Sequence, residues 1–398
     1  MPDIATINGI AEDNIATHNG ATASTVASRN GDTWVHWGPP ETVGTAVVFE
    51  SAEISYNRVA ALSETKAVVV YRDVGNSYYG TACVLDTDGN SVTAGTPSVF
   101  SSRNLQGVGI TRLSSTTMVI VYMGAGSKPR GRVISVDGTT ITLGTESATF
   151  YTTAGWGGGV TALSDSLVVA AARDNGTGDK GKVVAGSISG TDLTWGTPVE
   201  LTGNAADHHD VIKLTATTAI IVFSDSNNTQ TAIVATCSGT GGRTISLGTA
   251  VVFDGDVDYN SLATFSETKV VVCYRDTGNS SYGTACVLDV SGTSITAGTP
   301  TVFNSIDSQY IDCSELNDSN LIALFRQGGS GSKNTKASIC VMGVDGTTIS
   351  PRTAVNEVFG ATVLTFSDTT KLTGTKLLVT YEDASNSQYG TTRIIYNS

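Results

Sequence analysis

The chain is poor in several residue types, and each shortage excludes something. Only 8 of its 398 residues are proline and only 15% are charged, so neither a proline-rich spacer nor a charged disordered tail makes up much of it. Six cysteines are scattered with no C-x-x-C pair among them, which argues against a zinc site and against a disulfide framework. No apolar stretch approaches the length needed to cross a bilayer. Met1-Pro2-Asp3 opens the chain with neither the basic region nor the apolar core of a signal peptide. Basic side chains are outnumbered, 23 against 36 acidic, for a net charge of −13. A nucleic-acid binder would show a basic face, so that class is set aside. Polyanionic ligands and anionic membranes are disfavoured, while neutral glycans and protein partners remain compatible. Catalytic signatures are also missing: there is no Gly-x-Ser-x-Gly elbow, no His-Glu-x-x-His and no phosphate loop. No enzymatic activity, no cofactor and no metal are therefore expected.

What is present is glycine, 44 residues of it, together with abundant Thr, Ser and Val, a mixture suited to strands joined by tight turns. Seven apolar bursts recur, most of them closed by an aromatic: Val68–Tyr71, Val119–Tyr122, Val168–Ala172, Ile220–Phe223, Val271–Tyr274, Ile322–Phe325 and Leu378–Tyr381. Their last residues step by 51, 50, 51, 51, 51 and 56, a period that belongs to stacked or ring-forming supersecondary units. In one unit, Asn57 to Leu62 reads as a first strand and Ala67 to Tyr71 as a second. Tyr79 to Leu85 follows as a third, and Ser91 to Phe100, carrying Gly95-Thr96-Pro97, as a fourth. Asp88-Gly89 marks a tight hairpin. The second strand is continuously apolar, which calls for burial on both faces. Pro97, Pro198 and Pro300 suit an outer edge strand.

Four antiparallel strands, repeated seven times and buried face to face, predict an all-β fold: a seven-bladed β-propeller spanning residues 33–398. The last unit stops after its third strand, and an orphan fourth-strand phrase, Gly44-Thr45-Ala46-Val47-Val48-Phe49, precedes the first complete unit. An N-terminal strand near 40–49 is thus expected to complete the C-terminal blade and hide its edge. Cys83 and Cys286 share one register and Cys237 and Cys340 one strand; Cys273 lies in a burst and Cys313 just before a strand. All read as small buried thiols.

Residues 1–32 lie outside the repeat. Ile4-Ala5-Thr6-Ile7-Asn8-Gly9 recurs as Ile15-Ala16-Thr17-His18-Asn19-Gly20. This element, about 20 residues long, resembles a short Ile-Asn-Gly phrase of bacteriophage structural proteins. The resemblance implies a virion protein made in the host cytoplasm, with residues 1–32 as an attachment arm. Ile4, Ile7, Ile10 and Ile15 would then dock onto other virion proteins, in an oligomeric setting. A disordered leader, or an arm folded onto its own propeller, is the alternative.

Two sets of loops should open on one face, those between second and third strands and those from a fourth strand to the next first strand. Three of the former share a phrase: Asp73, Asn76 and Tyr79 recur as Asp276, Asn279 and Tyr282, and as Asp383, Asn386 and Tyr389. These residues could simply shape turns, with Asp accepting backbone N–H bonds, Gly or Asn left-handed, and Tyr packed between blades. The less favoured alternatives are sugar pockets from Asn, Asp and a ring face, or weak calcium sites. The fourth-to-first loops hold Trp156 among glycines, a sugar-stacking candidate, the pair His208-His209, and Tyr56, Tyr259 and Tyr310. Neighbours on a strand point to opposite faces, so the histidine pair reads better as solvated or core-filling than as a metal or acid–base site. Three functions are weighed. The first is a non-enzymatic virion protein, in a fibre, spike or capsid decoration, displaying a propeller for attachment or host-surface glycan recognition. The second is a soluble multivalent lectin, and the third a polysaccharide-degrading enzyme.

Overall fold

The computed structural model describes residues 6–7, 10–11, 27–29, 32–34, 42–124, 128–151, 153, 155–225, 229–328, 336–352, 358–359 and 363–396. Side chains are described from residue 42 onward, except those of Trp156, Gly157 and His208. Two compact units separate: Met1–Thr42 with Asn397–Ser398, and Val43–Tyr396. In the first, Thr6–Ile7 pairs with Ile10–Ala11, so that Ile7 faces Ile10, and Ala27–Arg29 pairs with Asp32–Trp34. Ile4 and Ile15 lie outside the described residues.

The second unit is all-β and antiparallel. Every apolar burst becomes the second strand of a meander: Lys66–Asp73, Thr117–Gly124, Leu167–Asp174, Thr218–Asp225, Lys269–Asp276, Asn320–Gln327 and Lys376–Asp383. Each is flanked by a first and a third strand; Val69, for instance, lies opposite Val59 on one side and Cys83 on the other. The burst is buried on both faces, as its continuous hydrophobicity predicts. Val68 and Val70 pack toward Met118, Ile120 and Tyr122 of the next meander. Val69 and Tyr71 pack toward Leu372, Leu378 and Ile394 of the last one.

The aromatic that closes a burst has a mechanical role. A phenylalanine from the preceding meander lies against it in five joints, four of them from an outer strand and Phe359 from a turn. The pairs are Phe49–Tyr71, Phe100–Tyr122, Phe253–Tyr274, Phe303–Phe325 and Phe359–Tyr381, with ring centroids 5.1–6.0 Å apart. Such contacts contribute roughly 0.5–1.5 kcal/mol beyond area burial. The glycine of the recurring Tyr-Gly-Thr phrase makes room for that ring. A Cβ on Gly80, Gly283 or Gly390 would stand 2.5–2.6 Å from Phe100, Phe303 or Phe49.

The fourth strand departs from expectation. It is broken into Ser91–Ala94 and Ser98–Ser101, both paired with Tyr79–Asp88, because Gly95-Thr96-Pro97 cannot sustain a ladder. The expected fourth-to-first loops are replaced, in three places, by single long strands: Val47–Ser63, Val199–Lys213 and Thr301–Asn317. Each leaves one meander as its outer strand and enters the next as its first. Cys313 accordingly lies inside a strand rather than before one, and all six cysteines are buried free thiols. The strand Val47–Ser63 pairs through its first half with Tyr389–Tyr396 and through its second with Lys66–Asp73. Gly44 N also donates to Ile394 O, 2.8 Å. The first strands of successive meanders lie side by side, and Leu364–Thr373 lies beside Val47–Ser63.

Candidate ligand face at the inner strands

Every first strand carries a bulge at one register. The ladder slips between Ser55 and Arg58, Leu105 and Gly107, Trp156 and Gly159, Asp207 and Asp210, Asp258 and Asn260, Gln309 and Asp312, and Thr365 and Asp368. A bulge re-aims side chains and breaks strand alternation. At four of them an aromatic residue takes the left-handed conformation: Tyr56 (φ 51°), Tyr259 (φ 47°), Tyr310 (φ 50°) and Phe366 (φ 44°). That backbone costs an L-residue roughly 1–2 kcal/mol.

The four rings meet in an arc. Tyr259 and Tyr310 are 5.5 Å apart, Tyr310 and Phe366 5.6 Å, and Phe366 and Tyr56 5.2 Å. All four are half-buried, so each keeps some surface open. Arg326 lies over Tyr310 at 4.6 Å and Arg72 over Tyr56 at 5.6 Å.

Two residues further along the same strands runs a polar belt. Asp210 Oδ2 accepts from Leu262 N (2.9 Å), Ser261 Oγ from Cys313 N (3.0 Å), Asp312 Oδ2 from Thr369 N (2.6 Å) and Asp368 Oδ2 from Val59 N (2.6 Å). Each bond joins one first strand to the next. Ser261 Oγ donates in turn to Asp312 Oδ1, 2.7 Å. The three carboxylates keep some solvent contact, yet protein surrounds them closely enough for burial to dominate. Burial pushes Asp210 up to about 6, against its backbone N–H partners and the Arg58 charge. Burial also raises Asp312, and burial with the Asp312 charge holds Asp368 well above the usual carboxylate range.

The residues singled out in the sequence are distributed as follows. Asp73, Asp276 and Asp383 are buried and shape their turns: Asp73 Oδ1 accepts from Asn76 N (3.0 Å), Asp276 Oδ1 from Asn279 N (2.9 Å) and Asp383 Oδ1 from Ser385 N (3.1 Å). The left-handed residues there are Ser77 and Tyr78, Ser280 and Ser281, and Ser387 and Gln388, not the Gly or Asn expected. Asn76, Asn279 and Asn386 are exposed, and Tyr79, Tyr282 and Tyr389 are half-buried at the start of third strands. These loops open beside the bulges, since Ile54 and Ser55 lie opposite Asp73 and Arg72. Trp156 stands in a first strand opposite Arg173, not in a loop. His208 and His209 sit within a bulge, so simple alternation does not govern them. The His209 ring is buried near that of Phe223, 6.1 Å away and nearly parallel. Of the candidates, Tyr310 joins the arc, alongside Tyr56 and Tyr259. Phe366 and the belt were missed. Their signal was an offset: Arg58, Asp210, Ser261, Asp312 and Asp368 each precede the aromatic of their own burst by thirteen residues, and the arc rings by fifteen.

No protein-family model matches the chain, and no curated protein does. Among solved structures, the chain is similar to the BP39L lectin from Burkholderia pseudomallei. The identity is 8%, over 88% of this chain and 98% of that one, with a TM-score of 0.61. It is also similar to the K499G mutant of NanB sialidase from Streptococcus pneumoniae, at 10% identity over 88% of this chain and 70% of that one, with a TM-score of 0.50. At these identities the likeness is one of fold alone: an all-β, propeller-like assembly of antiparallel sheets.

Proposed function

We propose that residues 43–396 form a seven-bladed β-propeller closed by its N-terminal strand, and that it binds glycan, without cleaving it, on the face bearing the aromatic arc. Closure is supported by the repetition, between last and first meanders, of the contacts made inside the chain. Phe49 meets Tyr71, Asp368 accepts from Val59 N, and Lys376 Nζ reaches Gly89 O (2.8 Å) as Lys66 Nζ reaches Gly138 O (2.7 Å). The observation that carries glycan binding is the arc itself. Four half-buried rings are held in a left-handed backbone at one register. Strain retained at equivalent positions points to a use for the side chain, and an apolar ring face edged by polar groups suits a sugar. The fold shared with a lectin agrees with this reading.

Phe366→Gly tests it, because glycine keeps the left-handed backbone while removing the central ring. On a broad glycan array followed by calorimetry, the wild type binds, and the variant binds about tenfold or more weakly, a loss of about 1.4 kcal/mol. A wild type that binds no glycan overturns the proposal. Attachment to a particle through residues 1–32 remains a proposal carried by the phage-like phrase. Unchanged incorporation after deletion of residues 1–32 would refute it.

A further inference from the structure

We infer that the glycan bound at the arc carries an anionic group, a carboxylate or sulfate on the sugar, and that Arg72 receives it; this rests on the glycan-binding reading above. Four second strands end in arginine at one register, Arg72, Arg173, Arg275 and Arg326. Two of these are neutralised within the protein. Arg173 pairs with Asp207 (2.6 Å) and Asp179 (2.9 Å), and Arg275 with Asp307 (2.8 Å) and Asp258 (3.7 Å). Arg326 donates to Gln309 and lies over Tyr310.

Arg72 differs from all three. Among the described residues it makes no hydrogen bond and no ion pair; its Nε is buried without a partner, as are those of Arg173 and Arg326. Two tyrosine rings hold it instead, Tyr78 at 4.3 Å and Tyr56 at 5.6 Å from the guanidinium carbon. The nearby Asp73 carboxylate is turned into its own loop, accepting from Asn76 N. A guanidinium held between rings keeps its planar edge of donors, which matches a carboxylate or sulfate in two-point fashion. Holding it in place beforehand reduces the ordering cost of binding. Tyr56 is also the end ring of the arc, 5.2 Å from Phe366. A sugar stacked on these two rings therefore brings an acidic substituent within reach of Arg72. The net charge of −13 opposes a polyanion, so an isolated acidic group on an otherwise neutral glycan fits best.

The experiment uses the full chain on an array of neutral glycans paired with their carboxylated and sulfated counterparts, read for wild type, Arg72→Gln and Arg72→Lys. The expected result is an acidic member bound about tenfold tighter than its neutral pair, with a preference that weakens as salt is raised. Arg72→Gln should reduce the preference, read as the ratio of acidic to neutral affinity within the same variant, below about threefold. Arg72→Lys should retain part of it. The carboxylated and sulfated arms tell the two anions apart. Neutral members bound as tightly as acidic ones, or a preference untouched by Arg72→Gln, would overturn the assignment of Arg72 and leave glycan binding standing. Absence of binding to every member would overturn both. Should Arg72→Gln fail to fold, a preference reduced in Arg72→Lys supports the assignment, and one equal to the wild type's overturns it.

Discussion

Replacing Asp210 by Asn should change how stability depends on pH, by an amount that can be worked from its surroundings. In the folded chain the carboxyl group titrates near 6, against an ordinary value of 3.8, chiefly because burial penalises the charge. Arg58 and the N–H groups of Val211 and Leu262 oppose the shift, and Asp312 reinforces it. Asp368, which shares the belt, is itself raised by Asp210. A carboxyl with a raised folded value holds its proton more tightly in the native state. Its contribution is therefore fully present below about pH 4 and is lost as pH rises through 6. A gap of about 2 corresponds to about 3 kcal/mol at 1.36 kcal/mol per pH unit. Solvent contact at the inner surface reduces this to about 1–2 kcal/mol. Asn can accept from only one of the two N–H groups, so about 1 kcal/mol is lost at every pH. That constant does not affect the slope. Urea denaturation of wild type and Asp210→Asn at pH 4, 6 and 8 should show the difference between them moving about 1–2 kcal/mol in the variant's favour from pH 4 to 8. A difference that stays constant across the series would refute the reasoning, for it would mean that the belt tolerates the charge without cost.

Two further substitutions probe the joints between meanders. Gly283→Ala places a methyl group 2.6 Å from the Phe303 ring and 2.9 Å from Ser308 Oγ. It should cost about 1–3 kcal/mol by overpacking, seen as a lower urea midpoint with the slope unchanged, and a neutral result would show that the ring can move aside. Phe49→Ala removes a buried ring from the joint between the last and first meanders and should cost about 3–5 kcal/mol. A loss under about 1 kcal/mol would mean that this joint does not hold the ends together.

Much of the fold was legible because one signal, the both-faces-buried strand, is written in contiguous residues. Val68 to Tyr71 need no partner to be recognised as a buried run. The outer strand was less legible. Ser91 to Phe100 reads as one strand by composition, but Gly95-Thr96-Pro97 interrupts the ladder and leaves two short pieces. The stretches between meanders read as loops because they are polar. In three places they continue in the structure as strands interrupted by bulges, as at Tyr310 in Thr301–Asn317. Polar residues there face neighbouring strands and the inner surface, and periodicity within one strand does not reveal that environment. Tyr56, Tyr259 and Tyr310 were visible as aromatics among polar residues; Phe366 stands in a similar setting, Thr365-Phe366-Ser367-Asp368, and only the fifteen-residue offset from Tyr381 relates it to them.

By itself the sequence determined the repeat, its strand order and the residues that must be buried, since each of these depends on hydrophobicity over a few neighbouring positions. Only the tertiary structure decided which residues meet. Tyr56 and Phe366 stand at opposite ends of the repeat array, yet their rings are 5.2 Å apart. Asp368 bonds Val59 N across 309 residues of sequence. The physical reason is that each meander buries its faces only against its neighbours. That packing sets the first strands of successive meanders side by side, so strained rings and costly carboxylates acquire their partners from neighbouring meanders.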